Sequence, residues 1–436
     1  MPHETLKIES LAYTGQGVGQ LPNGKVVFVD SALPGDLITF EVYDERARFS
    51  RARLTQLHEA SPHRVDAACP YAGLCGGCGI QQLEYAQQCF WKRRFVVDCL
   101  QRLGGIEDAE QKVLQLLSTP DEWGYRNKIE LVPLVQKNRV SLGYHTARSE
   151  ELLPIDSCLL LPSELRELPA KLSGALSYAL KDSLETLKRV SIRYSRRTLD
   201  LEIALWTSPS ACSRQFLAKV MQSAVPTTSL VRVLVAGDSA KRDLRKVEVL
   251  SGKGFWTERL AGFTYQLSAP SFFQVNTRAA ELLVNTVIQS VEPPGKTIMD
   301  LYSGAGSFTL PLAAMQNQVL AIESAKSSVR DLRRNLASNG LDAQVVGGGV
   351  EYQLESLGPC ECMVVDPPRS GLSPKALSAI IAAKPTQITY VSCDPATLAR
   401  DLRGFLRQGY GLLRVTPVDL FPQTYHIESV ALLTRI

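Results

Sequence analysis

The chain has 436 residues, 45% of them hydrophobic and 21% charged, with a formal net charge of +4. At roughly 150 residues per domain this length suggests about three domains; the composition excludes a disordered chain, and the lack of any stretch near ~20 uncharged apolar residues excludes a membrane-spanning helix. With no apolar run in its opening residues 1–9 a cytoplasmic protein is expected, and its ten cysteines point to metal binding or catalysis rather than to disulfides.

Residues 6–57 alternate short β-rich runs, at 25–29 and 37–42, with turn residues such as Gly15, Gly17, Pro22-Asn23-Gly24 and Pro34-Gly35. This predicts a small oligonucleotide-binding type of β-barrel over residues 1–58. Its later part interleaves Arg46, Arg48, Arg51 and Arg53 with Phe49, the mixture of charge and aromatic stacking that RNA-binding barrels use. Cys69, Cys75 and Cys78 follow. Three thiols so close need a fourth ligand, from Cys89, Cys99 or Cys158, and their spacing allows zinc or an iron-sulfur cluster. A helix is predicted from Glu84 to Leu103, ended by Gly104-Gly105. Strands at 190–194 and 199–205 with a helical stretch near 165–187 make residues 59–262 a central α+β domain, whose helix at 84–104 packs on the domain that follows.

In residues 263–436 the rhythm changes to apolar runs at 297–301, 319–322, 362–365 and 388–391, most separated by helical patterns, with a last strand at 429–434. That is the signature of an α/β, doubly wound parallel sheet, in which ligands sit beyond the carboxyl ends of the strands. After the first run comes Asp300-Leu-Tyr302-Ser-Gly304-Ala-Gly306, a turn that lets backbone approach a nucleoside, and Glu323 follows the second where an acidic side chain binds ribose hydroxyls. Asp366 ends the next run, and Pro367-Pro368 fix its loop. Cys393 lies between a strand and a helix begun by Asp394-Pro395, a position whose free amides and macrodipole favour a thiolate nucleophile. Glu428 opens the last strand as a candidate base, while His426 either packs or contacts phosphate.

Ser-Cys393-Asp-Pro, Asp366-Pro-Pro-Arg and His426-Ile-Glu428-Ser, in this order and preceded by Ser271-Phe-Phe-Gln274, resemble the bacterial RNA uracil-5-methyltransferase family. The resemblance reaches upstream: the barrel is similar to a TRAM domain, and Cys69 to Cys78 to the iron-sulfur segment of the family's 23S ribosomal RNA branch. It implies a Rossmann-like catalytic domain that binds S-adenosyl-L-methionine through Gln274, Asp300, Tyr302, Gly304, Glu323 and Asp366. It further implies Cys393 as nucleophile, Glu428 as base, and a [4Fe-4S] cluster on Cys69, Cys75, Cys78 and Cys158. The partner is then RNA, 23S ribosomal RNA before transfer RNA, because the transfer-RNA branch usually lacks both barrel and cysteines, and the enzyme is expected to be a monomer. Two competing readings are an inactive RNA-binding relative and an amino-group methyltransferase that needs no cysteine.

Overall fold

The computed structural model describes residues 5–210, 212–237, 243–291 and 293–436. At the amino terminus Thr5–Lys7, Ser10–Leu11, Gly17–Gln20, Val26–Asp30, Leu37–Glu45 and Phe49–Glu59 form one six-stranded sheet. Alternation places Val27 and Val29 inside, against Leu6, Ile8, Ile38 and Ala52. The expected basic stripe is partly neutralised by its own neighbours: Arg46 pairs with Asp44 at 2.8 Å and Arg53 with Glu41 at 3.2 Å.

Helix α1 (Tyr85–Cys99) is prolonged by a π-helical turn over Leu100–Gly104 and ends at Gly105, whose φ of 70° is left-handed. Its Val96 and Val97, with Leu100 of the turn that follows, are buried in the same core as the carboxy-terminal sheet. Between them the chain makes a seven-stranded sheet that includes Lys128–Gln136, Leu187–Tyr194 and Leu201–Thr207. Helices Leu168–Leu180 and Arg214–Ala224 contribute to its core.

The carboxy-terminal sheet has seven strands: β1 (Thr297–Leu301), β2 (Gln318–Glu323), β3 (Gln344–Gly347), β4 (Cys362–Val365), β5 (Gln387–Ser392), β6 (Tyr410–Val418) and β7 (Glu428–Arg435). Their spatial order is β3-β2-β1-β4-β5-β7-β6. Strands β1 to β5 are parallel, and β7 runs antiparallel between β5 and β6. Every apolar run expected to be a strand is one, and β3 and β6 are additional. The order reverses between β1 and β4, so their carboxyl ends open onto the crevice where such sheets bind ligands.

Candidate active site

Asp300 is fully buried near the end of β1. Thr309 Oγ1 donates to its Oδ2 at 2.5 Å, while Oδ1 is buried without a partner among the described residues. Burial pushes this carboxyl up to about 7, against the Thr309 hydrogen bond and helped by the charge of Glu323. Beyond the strand the chain turns through three positive φ angles, 63° at Tyr302, 55° at Gly304 and 99° at Gly306. A Cβ at Gly304 would meet no atom within 4 Å, so this backbone faces open space. The amides of Gly304 and Ala325 donate to the two oxygens of Glu323, at 2.9 and 2.6 Å. The expected nucleoside-binding residues of β1 and β2 are therefore brought together by direct hydrogen bonds.

Asp366 follows β4, its amide donating to Leu301 O at 3.2 Å. Burial, then the charge of Asp300, pushes its carboxyl up to about 7. On the far side, β5 and β7 are paired with Ser392 opposite Ser429. One step further along that antiparallel register stand Cys393 and Glu428, which explains why residues distant in sequence meet. Glu428 is buried, and its carboxyl is pushed well above the ordinary range by burial and then by Asp366. Asp300, Asp366 and Glu428 thus form a file of carboxyls in which each feels the next, ending at the thiol. Gln274 is buried in the segment before helix α2 (Thr277–Ser290), which is tied to the loop ahead of Glu428 by Asn276 Nδ2 donating to Leu420 O at 3.2 Å.

The thiol corrects one expectation. Burial first, then Glu428 and Asp366, pushes Cys393 up to about 12, with only Arg369 opposing among the leading contributions. The helix that Cys393 precedes, α3 (Pro395–Leu406), does not offer it free amides, because Asp394 Oδ1 already accepts from Ala396 N and Thr397 N at 3.0 Å each. Burial and these neighbouring carboxyls therefore favour the neutral thiol. Alkylation of Cys393 by iodoacetamide should accordingly rise by roughly tenfold per pH unit throughout pH 7 to 10, since only the thiolate reacts. A plateau below pH 8 would show a thiolate already formed.

Sequence reasoning missed the groups that hold the loop leading into Glu428. Lys92 and Asp419 are completely buried, 2.7 Å apart, and Lys92 also donates to Phe421 O at 2.9 Å. Gln88 exchanges hydrogen bonds with Gln423 at 3.0 and 2.9 Å, and Tyr125 donates to Pro422 O at 2.9 Å. His426 packs on Tyr425 with ring centroids 4.5 Å apart. Burial and then Arg369 push its imidazole down to about 4, so at neutral pH it carries no charge to offer a phosphate.

Cys69, Cys75, Cys78 and Cys158 share one neighbourhood: after burial, Cys158 and Cys69 are among the influences that push Cys75 and Cys78 up, Cys78 to about 12. The guanidinium of Arg126 acts on the same thiols in the opposite sense. Among the described residues, no three His, Cys, Asp or Glu side chains are arranged so as to hold a metal ion. Cys89 and Cys99 feel other groups, chiefly Asp419 and Asp394. Elsewhere, a cavity of about 660 Å³ beside Thr297, Gln318 and Gln344 lies at the amino ends of the strands, away from all these carboxyls. Among the described residues no helix is long and apolar enough to cross a membrane.

Residues 245–346 and 351–436 match the model of the tRNA (uracil-5-)-methyltransferase family, and residues 4–55 match the TRAM domain. An uncharacterized RNA methyltransferase of Gloeobacter violaceus is 34% identical over 99% of this chain and 96% of its own. Another, from Chlorobaculum tepidum, is 34% identical over 96% of this chain and 93% of its own. Among solved structures, the Pyrococcus abyssi tRNA (uracil-54, C5)-methyltransferase in complex with S-adenosyl-L-homocysteine superposes with a TM-score of 0.76. It is 26% identical and covers 99% of this chain and all of its own.

Proposed function

Because this chain belongs to the RNA uracil-5-methyltransferase family, and is thus an S-adenosylmethionine-dependent RNA methyltransferase, we propose that it methylates carbon-5 of a uridine through a covalent bond to Cys393. The observation that carries this reading is the β5–β7 register, which sets Cys393 and Glu428 at facing strand ends beside Asp366. Carbon-5 of uracil is too weak a nucleophile to take a methyl group unaided. Cys393 gives up its thiol proton to solvent and adds through sulfur to carbon-6, and the displaced ring electrons make carbon-5 nucleophilic. Once carbon-5 has taken the methyl group, leaving S-adenosylhomocysteine, Glu428 in its carboxylate form takes the carbon-5 proton, the ring double bond re-forms, and the carbon–sulfur bond breaks to release the thiolate. Reaching both faces of the ring requires the uridine to leave its stack.

Gln274, Asp300, Tyr302, Gly304, Glu323 and Asp366 are the residues we assign to the cofactor. When bound, S-adenosylmethionine supplies a methyl group on a cationic sulfonium. A file of buried carboxyls whose ionisation is held back, with an unpartnered oxygen on Asp300, suits a positively charged, hydroxyl-bearing ligand, because a cation beside them would favour their charged forms.

For the substrate we favour 23S ribosomal RNA, on the four grouped cysteines; the amino-terminal domain does not discriminate, since the solved transfer-RNA enzyme covers 99% of this chain. The likeness to a solved tRNA (uracil-54, C5)-methyltransferase supports transfer RNA as the second reading. Nucleoside mass spectrometry with site mapping of both RNAs from a deletion strain decides between them. A 5-methyluridine missing only from ribosomal RNA supports the first, one missing only from transfer RNA the second, and no missing 5-methyluridine contradicts both.

We assign a [4Fe-4S] cluster to Cys69, Cys75, Cys78 and Cys158, on the donor chemistry of four thiols whose charges act on one another. Its role is to shape the protein, since the reaction is complete without it. Protein purified anaerobically should be brown, with iron and acid-labile sulfide in equal amounts, and should lose both in Cys75→Ala. Zinc in their place would overturn the assignment, and full iron in Cys158→Ala would overturn the fourth ligand alone.

A further inference from the structure

The turn that joins Ser10–Leu11 to Gly17–Gln20 in the amino-terminal sheet does not point at solvent. Tyr13, within it, donates its hydroxyl to Asp394 Oδ2 at 3.2 Å, across 381 positions of sequence. Asp394 is the neighbour of Cys393 and the cap of α3; its other oxygen holds the first two free amides of that helix. The Tyr13 ring is fixed edge-on between Phe95 of α1 and Tyr425 of the loop ahead of Glu428, with centroids 5.9 and 6.3 Å apart. Tyr425 in turn lies so close to Gly15 that a Cβ there would come within 2.8 Å of its ring.

The sheet is seated firmly enough to make this contact dependable. Leu11 and Leu33 share a small buried core with Ile80, Leu83 and Phe95. Arg148 of the central domain pairs with Asp30 of the sheet. One ring therefore touches three elements at once: the helix cap beside the nucleophile, the loop before the base, and α1, whose Lys92 anchors that loop.

We propose that Tyr13 is a positioning residue of the methyl-transfer reaction, so that the amino-terminal domain completes the catalytic centre as well as carrying RNA. By holding Asp394, the hydroxyl fixes the strand-to-helix turn on which Cys393 sits; by filling the gap between Phe95 and Tyr425, the ring fixes that turn relative to Glu428. The chemistry of this role rests on Cys393 being the nucleophile, as proposed above.

Tyr13→Phe in the full chain keeps the ring and removes the hydrogen bond. Methyl transfer is measured with radiolabelled S-adenosylmethionine and ribosomal and transfer RNA from the deletion strain. We expect the rate at saturating RNA to fall roughly tenfold, the loss of one hydrogen bond to a charged group. The half-saturating RNA concentration and cofactor binding should be unchanged. A normal rate for Tyr13→Phe, or a loss confined to RNA affinity, would overturn the proposal. Tyr13→Ala should be slower still, and if it fails to fold the phenylalanine variant decides alone. Cys393→Ala run alongside keeps the two readings apart: normal methylation by it defeats the covalent mechanism, whatever Tyr13→Phe does.

Discussion

Cys393→Ala is expected to lower uridine methylation by at least roughly ten-thousand-fold, the scale on which removal of a covalent nucleophile acts, while leaving cofactor binding intact. Alanine is smaller than cysteine at this half-buried position, so folding should survive. Glu428→Gln should fail at a different step. Its thiol can still add and the ring can still be methylated, but the carbon-5 proton has no acceptor, so the reaction should stall as an adduct. Cofactor affinity measured by calorimetry and methyl incorporation measured by radiolabel separate these cases. An active Cys393→Ala would return the enzyme to the amino-group type of methyltransferase, which has no use for a cysteine.

Lys92→Ala is expected to be the most destabilising single change outside the catalytic groups. Both charges of the Lys92–Asp419 pair are entirely out of water, and Asp419 also receives Tyr85 at 3.0 Å and the Phe421 amide at 3.0 Å. Removing one partner from such a pair leaves a buried uncompensated charge, which costs about 3–5 kcal/mol. Lys92→Met with Asp419→Leu should recover much of that loss by removing both charges, although Tyr85 and the Phe421 amide then lack their acceptor. Thermal unfolding of the three proteins tests this. A Lys92→Ala melting curve like that of the parent would show the pair to be solvated in solution. Because the loop it anchors leads into Glu428, any Lys92→Ala protein that does fold should transfer methyl groups slowly at saturating RNA.

What the sequence made legible follows from where signals are local. Strands covered on both faces, such as Thr297–Leu301 and Cys362–Val365, read as largely apolar runs, and the residues at and just beyond their ends were the ones to inspect. The two unexpected strands are sheet edges: β3 is four residues with a glycine, and β6 carries Arg414 and Pro417, so neither shows a continuous run. Cys393 and Glu428 could be named from their motifs, but their protonation could not. It depends on Asp366 and Asp300 arriving from two other strands, and on Asp394 occupying the helix amides that would otherwise favour a thiolate. Likewise Lys92 looks like any helix lysine until Asp419, 327 positions later, is folded against it. The barrel was read as an RNA tether because its basic residues are visible, whereas Tyr13 has no local pattern to mark it.

The covalent chemistry is tested most directly by digesting the RNA complex formed by Glu428→Gln and S-adenosylmethionine, then locating the crosslinked nucleotide by peptide mass spectrometry. The peptide carrying Cys393 should bear a methylated uridine through its sulfur. Methylated RNA recovered without any protein adduct, or an adduct on a residue other than Cys393, would contradict the mechanism.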